Sequence, residues 1–170
     1  MKLFSAWYHG KALCKRLFFN IIYGKRLKLG YKTTWRRNFS ILISKEAHVN
    51  IGKNCFFNND CSLVAMKGID IGEGTLLGEN VKIYDNNHRF NKINLPIKKQ
   101  GYSLKEIKIG SHCWIGSNAI ILKGVQIGNN CVIGAGCVIT QNIPDNTIVK
   151  LNSSYILEKV KVKVKVVPKG

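Results

Sequence analysis

Isoleucine recurs at every sixth position in the second half of the chain: Ile109, Ile115, Ile121, Ile127, Ile133 and Ile139. The same step links Ile51, Phe57 and Leu63 and, after two extra residues near Lys67-Gly68, Ile71, Leu77 and Ile83. Four residues after most of these lies a second, smaller set: Cys55, Cys61, Thr75, Val81, Cys113, Ala119, Val125, Cys131, Cys137 and Ile143. Side chains alternate faces along a strand, so residues two apart share a face. The second set therefore points the same way as the next repeat residue. One large and one small apolar side chain would line each short side of a coil. Strands this short are not stable alone, and stacking successive turns pairs their backbones and fills a continuous core. The pattern predicts an all-β parallel β-helix of six-residue repeats over most of residues 49–143.

Glycine follows the repeat residue at 52, 72, 78, 110, 116, 128 and 134. It tolerates backbone angles that side chains forbid, which suits a corner. Five of the six cysteines fall in the small interior slot, where a free thiol acts as a small hydrophobe. No C-x-x-C pair occurs, which argues against a zinc ribbon.

Three segments lie outside the repeat. Leu3, Trp7, Cys14, Leu17 and Ile21 fall at helical spacing and predict an amphipathic helix near residues 2–23, with Gly24 as its stop. Two readings of this helix are open. It either packs on the coil and caps its end, or attaches to an anionic membrane surface. Residues 89–106 lack the repeat and predict a long excursion, a kind of loop that often carries function. Lys and Val alternate from Lys159 to Val167, the pattern of a strand with one basic face. The expected layout is a basic helical and capping segment over 1–48, the β-helix over 49–150, and a basic strand or tail over 151–170.

Charge adds one constraint. The chain carries 27 Lys and Arg against 9 Asp and Glu, and residues 1–37 hold ten cations and no acid. Such an excess favours a polyanionic partner: anionic lipid, nucleic acid or a phosphate-bearing ligand. No recognised nucleic-acid-reading motif accompanies it, so nucleic acid is not expected as a partner. No apolar run reaches a membrane span and no signal-peptide cleavage site follows the N-terminus, so a cytoplasmic location is expected, with possible peripheral contact at the inner face of the membrane.

His9, His48 and His112 read as ordinary surface residues. His88 differs in ending the run Tyr84-Asp85-Asn86-Asn87-His88, where the repeat stops and the excursion begins. An imidazole has an ordinary pKa of about 6.5 and suits proton transfer near neutrality. Asp85 or a backbone carbonyl could fix its tautomer. No set of histidines converges in sequence as a catalytic zinc site needs, so no metal is expected.

The stretch IKIGSHCWIGSNAIILKGVQIGNNCVIGAGCVITQNIPDN, residues 107–146, resembles the hexapeptide-repeat acyltransferases, on the maltose and galactoside O-acetyltransferase branch that includes surface-polysaccharide O-acetyltransferases. The likeness spans roughly residues 49–150. YDNNHRF is similar to the family's active-site histidine motif, with Asn86 in place of a first histidine and His88 retained. The resemblance implies a left-handed coil with three repeats per turn, a homotrimer with sites at subunit clefts, and acetyl-CoA as co-substrate. His88 would deprotonate an acceptor hydroxyl on a sugar or lipid-linked glycan, and the Ser117 N–H would stabilise the oxyanion. Trp114, Ser117, Ala135 and Thr140 fall on coenzyme-contacting positions, and Gln141 where many members carry lysine. Asn58 matches an acceptor-contacting asparagine, and Asp85 is expected beside the acceptor. Ala65 and Met66 depart from the acidic residues of the maltose-type enzymes, and Leu151-Asn152-Ser153-Ser154 from the family's Gly-Asn-Pro-Ala. The competing reading is a non-catalytic β-helix used for binding or structure.

Overall fold

The computed structural model describes residues 15–151. They form a left-handed parallel β-helix of about five turns whose three faces are parallel sheets. The first face stacks Leu27–Leu29, His48–Ile51, Gly68–Ile71, Ile107–Ile109 and Gln126–Ile127. The second stacks Thr34–Trp35, Phe56–Phe57, Leu76–Leu77, Trp114–Ile115, Val132–Ile133 and Ile148–Val149. The third stacks Ser40–Ile43, Ser62–Ala65, Lys82–Tyr84, Ile120–Leu122 and Val138–Ile139. All twelve repeat residues and all ten small-slot residues named above are buried. Each strand is two to four residues long, and stacking alone gives it partners, on both sides in all but the end turns.

The coil starts one turn earlier than the repeat places it. Leu29, Trp35 and Ile41 align with Ile51, Phe57 and Leu63, so residues 27–47 belong to the coil rather than to a separate cap. Bulky Trp35 and Phe39 replace the usual aliphatic and small residues there because they meet the helix. Residues 15–23 are helical, and Phe19 packs on Trp35 and Phe39 at ring distances of 6.0 and 6.3 Å. Gly24 ends the helix at φ +52°, a left-handed angle open to glycine without penalty. The described part of the helix therefore caps the coil. Cys14, the start of the helix and the Lys-Val tail lie outside the described residues.

The cap also answers a hydrogen-bond problem. Many N–H groups of each turn donate to carbonyls of the next, as Gly30 does to Ile51 and Gly52 to Ile71, while others donate to the turn before, as Asn54 does to Tyr31. The first-turn carbonyls that face the open end have no preceding turn to pair with, and buried carbonyls need donors. Side chains supply them: Arg16 reaches Leu29 and Gly30, Lys15 reaches Phe39, Tyr23 reaches Ile41 at 2.7 Å, and Arg26 reaches Ile43 and Ser44 at 3.1 and 3.0 Å. Part of the basic excess thus serves the fold and not a polyanionic partner.

Two details refine the repeat. The corner glycines are not left-handed. Gly110 is required because a Cβ there would lie 2.6 Å from the Gly128 backbone of the next turn. The left-handed corner positions fall two residues later and are filled mainly by asparagine, such as Asn38, Asn80 and Asn118. The small slot is also more than filler. Thr75 Oγ1 donates to the Gly110 carbonyl at 2.9 Å, and Cys113 Sγ to that of Gly128 at 3.1 Å. At this corner, between the first and second faces, every slot residue is such a donor: Thr33, Cys55, Thr75, Cys113 and Cys131. Among the described residues no helix is long and apolar enough to cross a membrane.

Candidate active site

The excursion leaves the third face after Tyr84 and returns to the first face at Ile107. It opens as an antiparallel hairpin, Asn86–His88 against Tyr102–Leu104, with His88 directly opposite Tyr102. Asp85 anchors its base. Its side chain is fully buried, and its carboxylate accepts hydrogen bonds from the N–H groups of Met66, Lys67 and Gly68 at 2.8, 2.7 and 2.7 Å. Those donors converge because the corner at 66–68 carries the two extra residues of the repeat. The Asp85 carbonyl accepts from the Lys105 N–H at 3.0 Å and closes the hairpin. This overturns the expected role of Asp85: its oxygens are occupied by these N–H groups and by Asn86 Nδ2 at 3.2 Å, and are free neither for an acceptor nor for the imidazole. It positions the hairpin instead.

His88 is exposed, and its ring stacks on Tyr102 at 4.5 Å and 41°. Among the described residues neither ring nitrogen has a hydrogen-bond partner, which leaves both available. The ring borders a cleft of about 430 Å³ that also touches Arg89, Phe90, Lys92, Ser103 and Lys123. Lys123 comes from the turn above and donates to Ser103 Oγ at 3.0 Å. Tyr102, Ser103 and Lys123 carry no motif, and sequence reasoning did not find them. Only the register that places Lys123 beyond Leu122, opposite the anchor Asp85, could have pointed to the lysine.

Ser117 lies on a different corner, between the second and third faces. In successive turns that corner holds Arg37, Asn59, Glu79, Ser117 and Ala135. Each of the first three N–H groups has a side-chain acceptor: Asn59 Oδ1 for Arg37, Asn58 Oδ1 for Asn59, and Ser117 Oγ for Glu79, at 3.2, 2.9 and 3.1 Å. For Ser117 the next residue is Ala135, which has none. The Ser117 N–H has no acceptor among the described residues. It is a fixed donor at a half-buried corner of the coil, suited to charge that develops on a bound oxygen.

Trp114 lies outside the second face next to this corner and is largely exposed, in register with exposed Leu76. Asn58 sits on the same corner two turns before Ser117, with Oδ1 also accepting from Arg36 at 3.3 Å. Thr140 and Gln141 are exposed at the far edge of the third face, the edge from which the His88 hairpin leaves. The predicted residues therefore form two groups. Asn58, Trp114, Ser117 and Ala135 occupy one edge of the third face, and His88, Thr140 and Gln141 the other. The edges are six residues apart, roughly 20 Å of extended chain. One protomer does not bring His88 and Ser117 onto a common carbonyl.

Burial, as the leading cause, pushes the Cys55, Cys61 and Cys113 thiols above their ordinary value, which leaves them protonated and unreactive. They have no part in the site. Among the described residues no His, Cys, Asp and Glu side chains cluster as metal ligands would.

Residues 106–141 match the family described as bacterial transferase hexapeptide (six repeats), and residues 48–84 match the hexapeptide repeat of succinyl-transferase. A maltose O-acetyltransferase from Clostridium difficile superposes with a TM-score of 0.64 at 31% identity, over 84% of this chain and 74% of that one. The chain belongs to the hexapeptide-repeat acyltransferases. A hexapeptide-repeat acetyltransferase of Vibrio cholerae, solved in complex with acetyl coenzyme A, is similar to this acyltransferase-family chain with a TM-score of 0.64 at 27% identity, over 79% of this chain and 71% of that one. Nodulation protein L of Rhizobium meliloti is 38% identical over 77 residues, 44% of this chain. The chain spans 40% of that relative's length. The two repeat blocks that match family models flank the hairpin, so the hairpin is the part of this hexapeptide-repeat protein least described by its repeats.

Proposed function

We propose that this protein transfers an acetyl group from acetyl-CoA to a hydroxyl of a sugar or glycan intermediate, with His88 as general base. The observation that carries this reading is the unpartnered Ser117 N–H, combined with an imidazole whose two nitrogens are unengaged. A hydroxyl becomes an effective nucleophile when a base takes its proton as it attacks. His88 accepts that proton, and the acceptor oxygen bonds to the thioester carbonyl carbon. The carbonyl oxygen takes up negative charge and receives the Ser117 N–H. Collapse breaks the C–S bond, and the departing sulfur takes the proton from the imidazolium. The products are an O-acetyl ester and free coenzyme A.

The separation of His88 from Ser117 supports a homotrimer in which the third-face edges of neighbouring protomers meet. His88 of one protomer then works with Ser117 of the next. Trp114, Ser117 and Ala135 line the coenzyme arm from one side of such a cleft, and Thr140 and Gln141 from the other. Asn58 contacts the acceptor. The exposed Leu17, Phe18 and Ile21 beside Lys25 support a lipid-linked acceptor met at the inner face of the membrane during surface-polysaccharide synthesis. Liposome flotation tests that last element, which fails if attachment to anionic lipid is absent or insensitive to salt.

The direct test is thiol release from acetyl-CoA with a panel of sugars, nucleotide sugars and lipid-linked oligosaccharides. Acceptor-dependent release with formation of an O-acetyl ester is expected. A chain that binds no coenzyme A and acetylates no member of the panel is a binding module, and the proposal falls.

A further inference from the structure

We propose that the cleft beside His88 is an anion subsite, so that the acceptor carries a phosphate or carboxylate held by Arg89, Lys92 and Lys123 while its hydroxyl faces the imidazole. This rests on the acetyl-transfer reading above. Arg89, Lys92 and Lys123 all line the cleft, and no carboxylate does. Asp85, the acid preceding Arg89 in the hairpin, is buried, accepts from three backbone N–H groups and forms no ion pair with these cations. None of the three cations forms an ion pair among the described residues.

The general excess of lysine and arginine does not account for this arrangement. Lys53 has Glu73 at 3.2 Å, and Arg16 and Arg26 hold backbone carbonyls at the capped end. Lys123 differs from these. It is half buried at the end of the third face, and its ammonium is tied to a neutral hydroxyl on the hairpin, on the strand partner of Asn87. An ammonium has three donors, so two remain to be directed into the cleft. A cation partly withdrawn from water without a direct ion-pair partner is unfavourable, and an anion in the cleft supplies one. The volume of about 430 Å³ falls within the usual range of small-ligand sites, about 300–1,000 Å³.

Coenzyme phosphates offer the same chemistry. The thioester must reach His88, however, and the whole pantetheine arm separates it from those phosphates. A group bound within the His88 cleft itself therefore belongs to the acceptor.

Turnover is measured with glucose, glucuronic acid and glucose 1-phosphate for the unmodified chain, Lys123→Met and Lys123→Arg. The charged sugars are expected to show kcat/KM at least about tenfold above glucose. Lys123→Met should cut that ratio by about tenfold, and Lys123→Arg should preserve most of it. Equal kcat/KM for the three sugars overturns the subsite. So does a raised KM for acetyl-CoA in Lys123→Met with the acceptor ratio intact, which assigns the cations to the coenzyme. If none of the three is acetylated, calorimetry decides independently of turnover. Binding of glucose 1-phosphate but not glucose, lost in Lys123→Met, supports the subsite, and no such binding overturns it.

Discussion

Ala135 stands one turn beyond Ser117 on the same corner of the coil, and its methyl group offers the Ser117 N–H no acceptor. One turn earlier on that corner a serine side chain fills the same role for its neighbour, since Ser117 Oγ accepts from the Glu79 N–H at 3.1 Å. Ala135→Ser should therefore place a hydroxyl against the Ser117 N–H. The donor would be engaged before the oxyanion forms, and kcat is expected to fall by about 10²–10³, the range for losing one such donor. The melting temperature should not drop, because the change adds a hydrogen bond on an exposed corner. Unchanged kcat with an intact fold would remove this N–H from the reaction.

His88→Ala is expected to lower kcat by about 10²–10⁴, the range for losing a general base. Calorimetric binding of coenzyme A should persist, since no coenzyme contact is assigned to the imidazole. A variant that turns over normally would show that another group takes the proton.

Because His88 and Ser117 lie on opposite edges of the third face, two inactive variants should rescue each other. Co-expression of His88→Ala with Ala135→Ser would create clefts holding an intact His88 from one protomer and a free Ser117 N–H from its neighbour. Turnover of the mixed oligomer should rise clearly above that of either variant alone. No recovery would mean that each site is built within one protomer.

The core thiols give a pH prediction. Burial raises Cys55, Cys61 and Cys113 above their ordinary value of 9.0. Between the unfolded and folded values the unfolded chain has lost the proton while the native chain keeps it. Stability is then fully present below the unfolded value and falls as pH rises above it. Urea titrations should show a midpoint that drops above pH of about 9, less steeply in Cys113→Thr. Thr75 shows that the threonine fits, since it makes the equivalent bond one turn earlier. In native protein at neutral pH, alkylation mapped by mass spectrometry should leave the five described thiols unmodified.

The coil was legible because its signal is periodic: Ile109 to Ile139 fix both the step and the inward direction. The first turn was hidden because ten residues separate Ile41 from Ile51, where six is the rule, and because Trp35 and Phe39 follow the cap rather than the repeat. His88 stood out by its place at the end of the repeat. The role of Asp85 did not, since a carboxylate three residues from a histidine looks the same in sequence whether it serves the ring or the backbone. Lys123 was indistinguishable from the other cations of a basic chain, because its significance comes from a hairpin folding back over it.

The covering of the first turn has a consequence for assembly. Open ends of stacked parallel strands are templates on which another chain can continue the ladder. Two such coils joined end to end would present a fresh end each time and grow as a filament. Arg16, Arg26, Lys15 and Tyr23 occupy the acceptor groups that an incoming chain would need. They also crown that end with positive charge, so two copies approaching tip to tip repel each other. The covered first turn therefore cannot be extended by another copy, which blocks head-to-tail growth at that end.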